Sequence, residues 1–198
     1  MNMGKIIGYT GGMCASKTGA MLADFERANY AKKKVLCLKP ESDNRYGASI
    51  VKSRTSDLEF PAMSIPVKGK KRDIIKILKY VKENDIDIIG IDETQLFGKW
   101  IVNLAIALRN AKKKVIFNGL DMTFKGRPFG CIGDMLAIAD DVVKFHAVCV
   151  CCGKDASFSQ RLINGKPAED GEDIVIENSD NVVTYEARCH DCFVPPKK

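Results

Sequence analysis

Residues 10–19 read TGGMCASKTG, between an apolar run and a stretch with helical spacing. The frame from Gly11 through Gly12, Met13, Cys14, Ala15 and Ser16 to Lys17 and Thr18 is that of a loop whose successive main-chain N–H groups turn inward around a triphosphate, with a helix dipole behind them. In such a loop Lys17 neutralises the β and γ phosphates of ATP and Thr18 holds magnesium. Ser16 stands where the frame has its second glycine. If the main chain there is left-handed, a side chain costs about 1–2 kcal/mol. The expectation is weakened ATP binding, since Ser16 keeps its N–H and adds a hydroxyl.

A second constellation lies in IGIDETQLF, residues 89–97, where apolar residues run straight into Asp92 and Glu93. An acidic residue at the carboxyl end of a neighbouring strand faces the phosphates across the loop, which puts Asp92 on the magnesium side. Glu93 is one step further along and points elsewhere. In a phosphoryl transferase it is placed to take a proton from an attacking hydroxyl; in an ATP hydrolase it would orient water. The alternative reading is that the pair caps a following helix.

The third constellation is sulfur. Of eight cysteines, five fall in CVCCG and CHDC near the end of the chain. Cys149 with Cys152 and Cys189 with Cys192 form two CxxC pairs, a set that closes a tetrahedral zinc site with no open position, and hence a structural one. Cys151 and His190 compete within the same cluster, but Cys152 precedes Gly153, which suits a tight knuckle.

These groups need elements to hold them. Apolar, β-branched runs at 5–11, 33–40, 85–92, 113–120 and 141–149 read as buried parallel strands, because both faces are apolar. Residues 17–30 read as a helix, as do 73–83, with Ile74, Ile77, Leu78 and Val81 on one face, and 99–110, with Ile101, Leu104, Ala105 and Leu108. The expected fold is α/β: a mainly parallel sheet flanked by helices, of the P-loop NTPase kind, over residues 1–148. Residues 149–198 form a small zinc-ribbon-like module with short strands at 156–162, 172–178 and 181–189 and a short tail. Two polar loops, 41–58 and 163–173, are expected to be mobile.

A chain of 198 residues, 45% hydrophobic, has enough apolar surface for one core and an appendage. No apolar run has the roughly 20 residues of a membrane span, and no export leader opens the chain, so a cytoplasmic protein is expected. The net charge of +6 sits largely in KKK at 32, KGKKR at 68 and KKK at 112. Two of these precede predicted strands, at the rim opposite a parallel sheet's ligand-binding edge, so a solvated rim is preferred to a nucleic-acid surface.

Taken together, GGMCASKT, VLCLKPESDNRY, IGIDETQLF, GLDMTFKGRPFG, LAIADDVVKFHAVCVCCG, ASFSQR and YEARCHDC resemble, in order and spacing over nearly the whole chain, the thymidine kinases of the cellular and poxviral type, the type II deoxynucleoside kinases. The resemblance implies transfer of the ATP γ-phosphate to the 5′-hydroxyl of thymidine or deoxyuridine, for salvage of DNA precursors, with feedback by dTTP and a homotetramer. By the same resemblance Glu93 is the catalytic base and Asp92 the magnesium-side acid. Asp43, Asn44 and Arg45 lie near the phosphates, and Gln95 is the glutamine after the acidic pair. Met13, Leu120, Phe124 and Phe129 surround the thymine, Asp173, Ile174, Val175, Ile176 and Glu177 form a lasso whose main chain meets the base edge, and Tyr185 helps close it. For the two phenylalanines, a glycine-rich loop after a strand favours the site over the core.

The chain departs from the family pattern at Ser16, at Leu96, where phenylalanine is usual, and at IENSDN, which replaces a Gly-Gly turn and lengthens the lasso. None of these removes a charged group. Two rivals stand beside the kinase. DETQ after a phosphate loop also resembles a nucleic-acid-linked ATPase, although such a motor needs two lobes and this chain has room for one. The other rival is a nucleotide sensor that Ser16 has robbed of turnover.

Overall fold

Strands with both faces apolar can lie only between two layers of helix, and the computed structural model, which describes residues 4–175 and 182–196, shows that arrangement. In chain order the elements are β1 (Lys5–Gly11), α1 (Lys17–Tyr30), β2 (Val35–Pro40), β3 (Ile50–Lys52), β4 (Glu59–Ile65), α2 (Lys71–Glu83) and β5 (Ile88–Ile91). A 3-10 turn (Thr94–Leu96), α3 (Trp100–Asn110), β6 (Lys114–Leu120), α4 (Ile132–Ile138) and β7 (Asp141–Phe145) follow. The seven strands form one sheet in the order β3-β4-β2-β5-β6-β1-β7, parallel except for β3, which runs antiparallel to β4.

The period of two along each strand sorts the core. Leu36, Leu38, Ile89, Ile91, Val115 and Phe117 pack with α2, α3 and α4. The intervening Cys37, Ile88 and Ile116 pack with Met21, Leu22 and Phe25 of α1. Gly90 allows the close approach of α1: a Cβ there would overlap the Phe25 ring. The lysine runs at 32–34 and 112–114 lie at the amino ends of β2 and β6, away from the strand ends that carry the acidic pair.

Several expectations need correction. The strand expected over 141–149 is broken: β7 ends at Phe145, His146 intervenes, and β8 (Ala147–Val148) pairs antiparallel with β9 (Asp155–Ala156) in a separate ladder. Nor is β7 buried. It is the edge of the sheet, with Val142 46% and Val143 43% exposed, because β-branched residues suit an edge strand as well as a central one. β4 was not expected, and β3 lies within the stretch expected to be a loop. Beyond β9, β10 (Phe158–Ile163) lies between β11 (Lys166–Pro167) and β12 (Val183–Arg188), both antiparallel to it. Residues 172–175 of the strand expected over 172–178 are in no strand, and the rest of that stretch falls outside the described residues. Among the described residues no helix is long and apolar enough to cross a membrane.

Candidate active site

The loop after β1 is held tightly at its start. Gly11 has φ 137°, and a Cβ there would overlap the carbonyl oxygen of Phe145 on the adjoining β7. Cys14 and Ser16 are both left-handed, with φ 60° and 57°. Ser16 therefore adopts the conformation that favours glycine, at a cost of about 1–2 kcal/mol. Its side chain makes no cap to α1; Oγ instead lies 3.1 Å from Thr55 Oγ1. Ser16→Gly is accordingly expected to raise unfolding free energy by about 1 kcal/mol, measured by denaturant titration, because the relief of strain exceeds the added entropy of the unfolded chain. Lys17 folds back so that Nζ donates to the Gly12 carbonyl at 2.6 Å, and burial lowers its pKa against the upward pull of Glu93 and Asp121. Thr18 Oγ1 lies 3.4 Å from Asp92 Oδ1.

Asp92 follows β5, and β5 is not the neighbour of β1 as expected: β6 lies between them. The gap is filled by Asn118 of β6, 1% exposed, a residue that sequence reasoning passed over. Its Nδ2 donates to Asp92 Oδ1 at 2.6 Å and lies 3.4 Å from Thr18 Oγ1, while its Oδ1 accepts the Glu93 N–H at 3.2 Å. The available signal was a lone amide inside the apolar strand KVIFNGL. Burial, with the charge of Glu93 beside it, pushes the Asp92 carboxyl up to about 7 despite the Asn118 hydrogen bond.

Glu93 itself is left-handed, φ 49°, at the entry to the 3-10 turn, and makes no side-chain cap, which removes the capping alternative. Arg45 Nη2 donates to its Oε1 and Gln95 Nε2 to its Oε2 at 2.6 Å. Burial alone would raise its pKa, but the Arg45 charge and these hydrogen bonds outweigh it, so Glu93 is held ionised below its ordinary value. Arg45 also grips Asp43 in a fork, Nε to Oδ1 at 2.8 Å and Nη2 to Oδ2 at 3.0 Å. Behind them Lys39, 1% exposed and also unforeseen, donates to the carbonyls of Gly47 and Ile50 at 2.9 and 3.0 Å. Asp43, Asp92 and Glu93 each offer an oxygen within 4.8 Å of the others. Three carboxylates so close, one with its pKa raised and a hydroxyl at hand, suit a hard divalent cation.

Two cavities meet here. One is lined by Ser16, Lys17, Thr18, Asp92 and Asn118. The other, about 470 Å³ and mostly apolar, is lined by Phe124, Phe129, Met122, Leu96 and Gln95, with Asp173, Ile174, Val175 and Tyr185 on a further side. Met13, Asp43, Arg45, Arg54, Glu93 and Leu120 line both. Phe124 and Phe129 are both buried, and Phe129 belongs to the main core, so wall and core are one surface rather than the alternatives expected. Gly11, Gly12, Ala15 and Asn44 line neither cavity, and Ile176 and Glu177 lie outside the described residues. Ser159 and Arg161 of β10, near-buried polar residues bonded to Met13 and to segment 172–173, were not foreseen.

The sulfur atoms of Cys149, Cys152, Cys189 and Cys192 lie within 4.8 Å of one another, a donor set that fits zinc. Cys151 and His190 are outside it: Cys151 meets Arg188 and His190 lies against the Phe158 ring. Burial raises the Cys149 thiol, but main-chain hydrogen bonds from Cys189, Cys151 and Cys152 outweigh it and bring it down to about 6, favouring a thiolate. Ala15 shares one small buried cluster with Cys149, Cys189, Ala147, Ala156 and Ala187, so the loop after β1 and the cysteine module have a common core.

A family model described as thymidine kinase matches residues 4–193. A thymidine kinase of Coprothermobacter proteolyticus is 40% identical over 181 residues, 91% of this chain and 86% of that protein.

Proposed function

The chain belongs to the thymidine kinase family, and from that premise we propose that it moves the γ-phosphate of ATP to the 5′-hydroxyl of thymidine, with deoxyuridine as a second acceptor to be measured. The observation that carries the reading is the position of Glu93, on the wall common to a cavity rimmed by Lys17 and Thr18 and to an apolar cavity with aromatic walls.

In this reading the loop from Gly11 to Thr18 is a phosphate-binding loop: its N–H groups, including those of Met13, Cys14, Ala15 and Ser16, surround the triphosphate, and Lys17 exchanges the Gly12 carbonyl for phosphate oxygens. Thr18 and Asp92 would hold magnesium, which when bound neutralises charge on the phosphates. Asp43 and Asn44 complete that side, with Asp43 holding the Arg45 fork. Arg45, shared between Asp43 and Glu93, would also meet phosphate oxygens, a competition that loosens its hold on Glu93 and raises that carboxylate's basicity. Glu93 then takes the proton of the 5′-hydroxyl as the 5′-oxygen bonds to the γ-phosphorus and the bond to the β-phosphate oxygen breaks, leaving ADP. Gln95 fixes Glu93 from the other side.

The apolar cavity receives the nucleoside. Its volume falls in the range of about 300–1,000 Å³ typical of small-molecule sites. Phe124 lies against the base, Met13, Leu120 and Phe129 enclose the 5-methyl group, and the main chain of the lasso from Asp173 to Glu177 meets the base edge, with Tyr185 closing it. A purine is excluded by volume. Ser16 weakens ATP binding and leaves the chemistry intact, since Lys17, Thr18 and Asp92 keep the electrostatics. In the same reading the chain divides near residue 148, carries zinc in the cysteine module, works as a cytoplasmic homotetramer under feedback by dTTP, and takes no nucleic-acid or membrane partner.

The test is to incubate the purified protein with ATP, magnesium and a panel of nucleosides and identify the monophosphates. Thymidine should be converted and adenosine and guanosine left intact. ATP hydrolysis stimulated by DNA, with no nucleoside converted, would favour the ATPase instead.

A further inference from the structure

We propose that Arg161 is a positioning residue for the nucleoside: it fixes segment 172–175 against Phe124, so that the roof and one wall of the apolar cavity form a single unit. This rests on reading that cavity as the nucleoside site. Arg161 lies in β10 and is 3% exposed. A guanidinium removed from water is strongly unfavourable unless its N–H groups find acceptors. Here Nε donates to Tyr185 Oη at 2.8 Å, Nη1 to the carbonyl of Glu172 at 2.7 Å, and Nη2 to the carbonyl of Asp173 at 3.0 Å. Tyr185 Oη in turn donates to the carbonyl of Val175 at 2.7 Å. The guanidinium Cζ lies over the Phe124 ring, 3.7 Å from its centroid, where the ring's negative face attracts it.

Residues 172–175 belong to no strand, so no ladder of main-chain hydrogen bonds sets their position. The ion pairs of Lys125 with Asp170 and Asp173, at 2.6 and 3.5 Å, involve acids that are largely exposed and so hold weakly. The buried fork therefore dominates. Ser159, two residues earlier on the same face of β10 and also buried, accepts the Met13 N–H at 3.0 Å. One strand face thus anchors the loop after β1 through Ser159 and the cavity roof through Arg161. Lysine cannot reproduce this, because it has a point charge in place of a planar fork.

The experiment compares Arg161→Met, Arg161→Lys and Tyr185→Phe with the parent. It measures KM for thymidine and for ATP separately, together with hydrogen exchange of the 170–175 peptide without ligand. For Arg161→Met, KM for thymidine should rise about tenfold or more, while KM for ATP stays within about twofold. Arg161→Lys should not restore it, and Tyr185→Phe should show a smaller rise in the same direction. Exchange in 172–175 should quicken about tenfold or more in Arg161→Met. Melting temperature serves as the control for global folding; if Arg161→Met does not fold, Arg161→Lys and Tyr185→Phe carry the test. Unchanged KM for thymidine with unchanged exchange would overturn the role of Arg161. A parent protein that converts no thymidine, yet shows the exchange difference, would overturn the nucleoside reading and leave the anchoring standing.

Discussion

Exchange of Glu93 for glutamine should lower kcat for thymidine phosphorylation by roughly a hundred- to ten-thousand-fold, the span expected when a positioned general base is removed. Glutamine keeps the size of the side chain and one oxygen able to accept from Arg45, but it cannot take a proton. The loss should fall on kcat, with KM for thymidine and for ATP within about threefold of the parent, because the missing interaction exists only as the 5′-hydroxyl gives up its proton. The surroundings of Glu93 support this choice over Asp92. Arg45 and Gln95 keep Glu93 ionised and facing both cavities, whereas Asp92 accepts from Asn118 and Thr18 through Oδ1 and is pushed up to about 7 by burial and its neighbour's charge. A Glu93→Gln protein with near-parental kcat would remove Glu93 from the mechanism. Steady-state kinetics under saturating ATP is the measurement.

Loss of the cysteine cluster should be the other large effect, and it should reach beyond the short strands it supports. The parent should contain about one zinc per chain, and Cys189→Ser should lose it, since a structural site closes on all four thiolates. Metal binding of this kind is worth about 10–16 kcal/mol of folding free energy in small modules, far more than β8, β9 and their neighbours supply by apolar burial. The consequence for activity follows from Ala15, which shares a small buried core with Cys149, Cys189 and three alanines of the module. If the cluster opens, the loop before Lys17 loses its backing. Thymidine phosphorylation should therefore fall by about a hundredfold or more in Cys189→Ser and in chelator-stripped protein. Metal analysis and activity on the same preparations check this. Cys151→Ser, outside the cluster, should retain both.

How far the fold and site can be read from sequence differs residue by residue. β1, β2, β5 and β6 are read well because each is a short apolar, β-branched run, and in the central strands alternate residues enter opposite cores. β4 escapes because EFPAMSI interrupts its apolar residues with proline and serine, and its burial depends on docking beside β2. β7 is read as buried because valine cannot tell an edge from a centre. Ser16 poses a conditional question in the sequence, and the left-handed backbone answers it. The acidic pair is evident because an apolar strand runs directly into it. Asn118, Lys39 and Arg161 are a different matter. Their partners are main-chain carbonyls or residues far along the chain, and only the strand order and the fold-back of segment 172–175 bring them together.

The central claim is that one carboxylate serves both a triphosphate and a nucleoside. A crystal structure with thymidine, magnesium and a non-hydrolysable ATP analogue tests it directly. The expected result is thymidine in the cavity walled by Phe124, its 5′-oxygen about 3 Å from a Glu93 carboxylate oxygen, and the terminal phosphate beside Lys17 on the other side. Thymidine bound elsewhere, Glu93 turned away from the 5′-oxygen, or the Ser16 side chain occupying the phosphate position would contradict it.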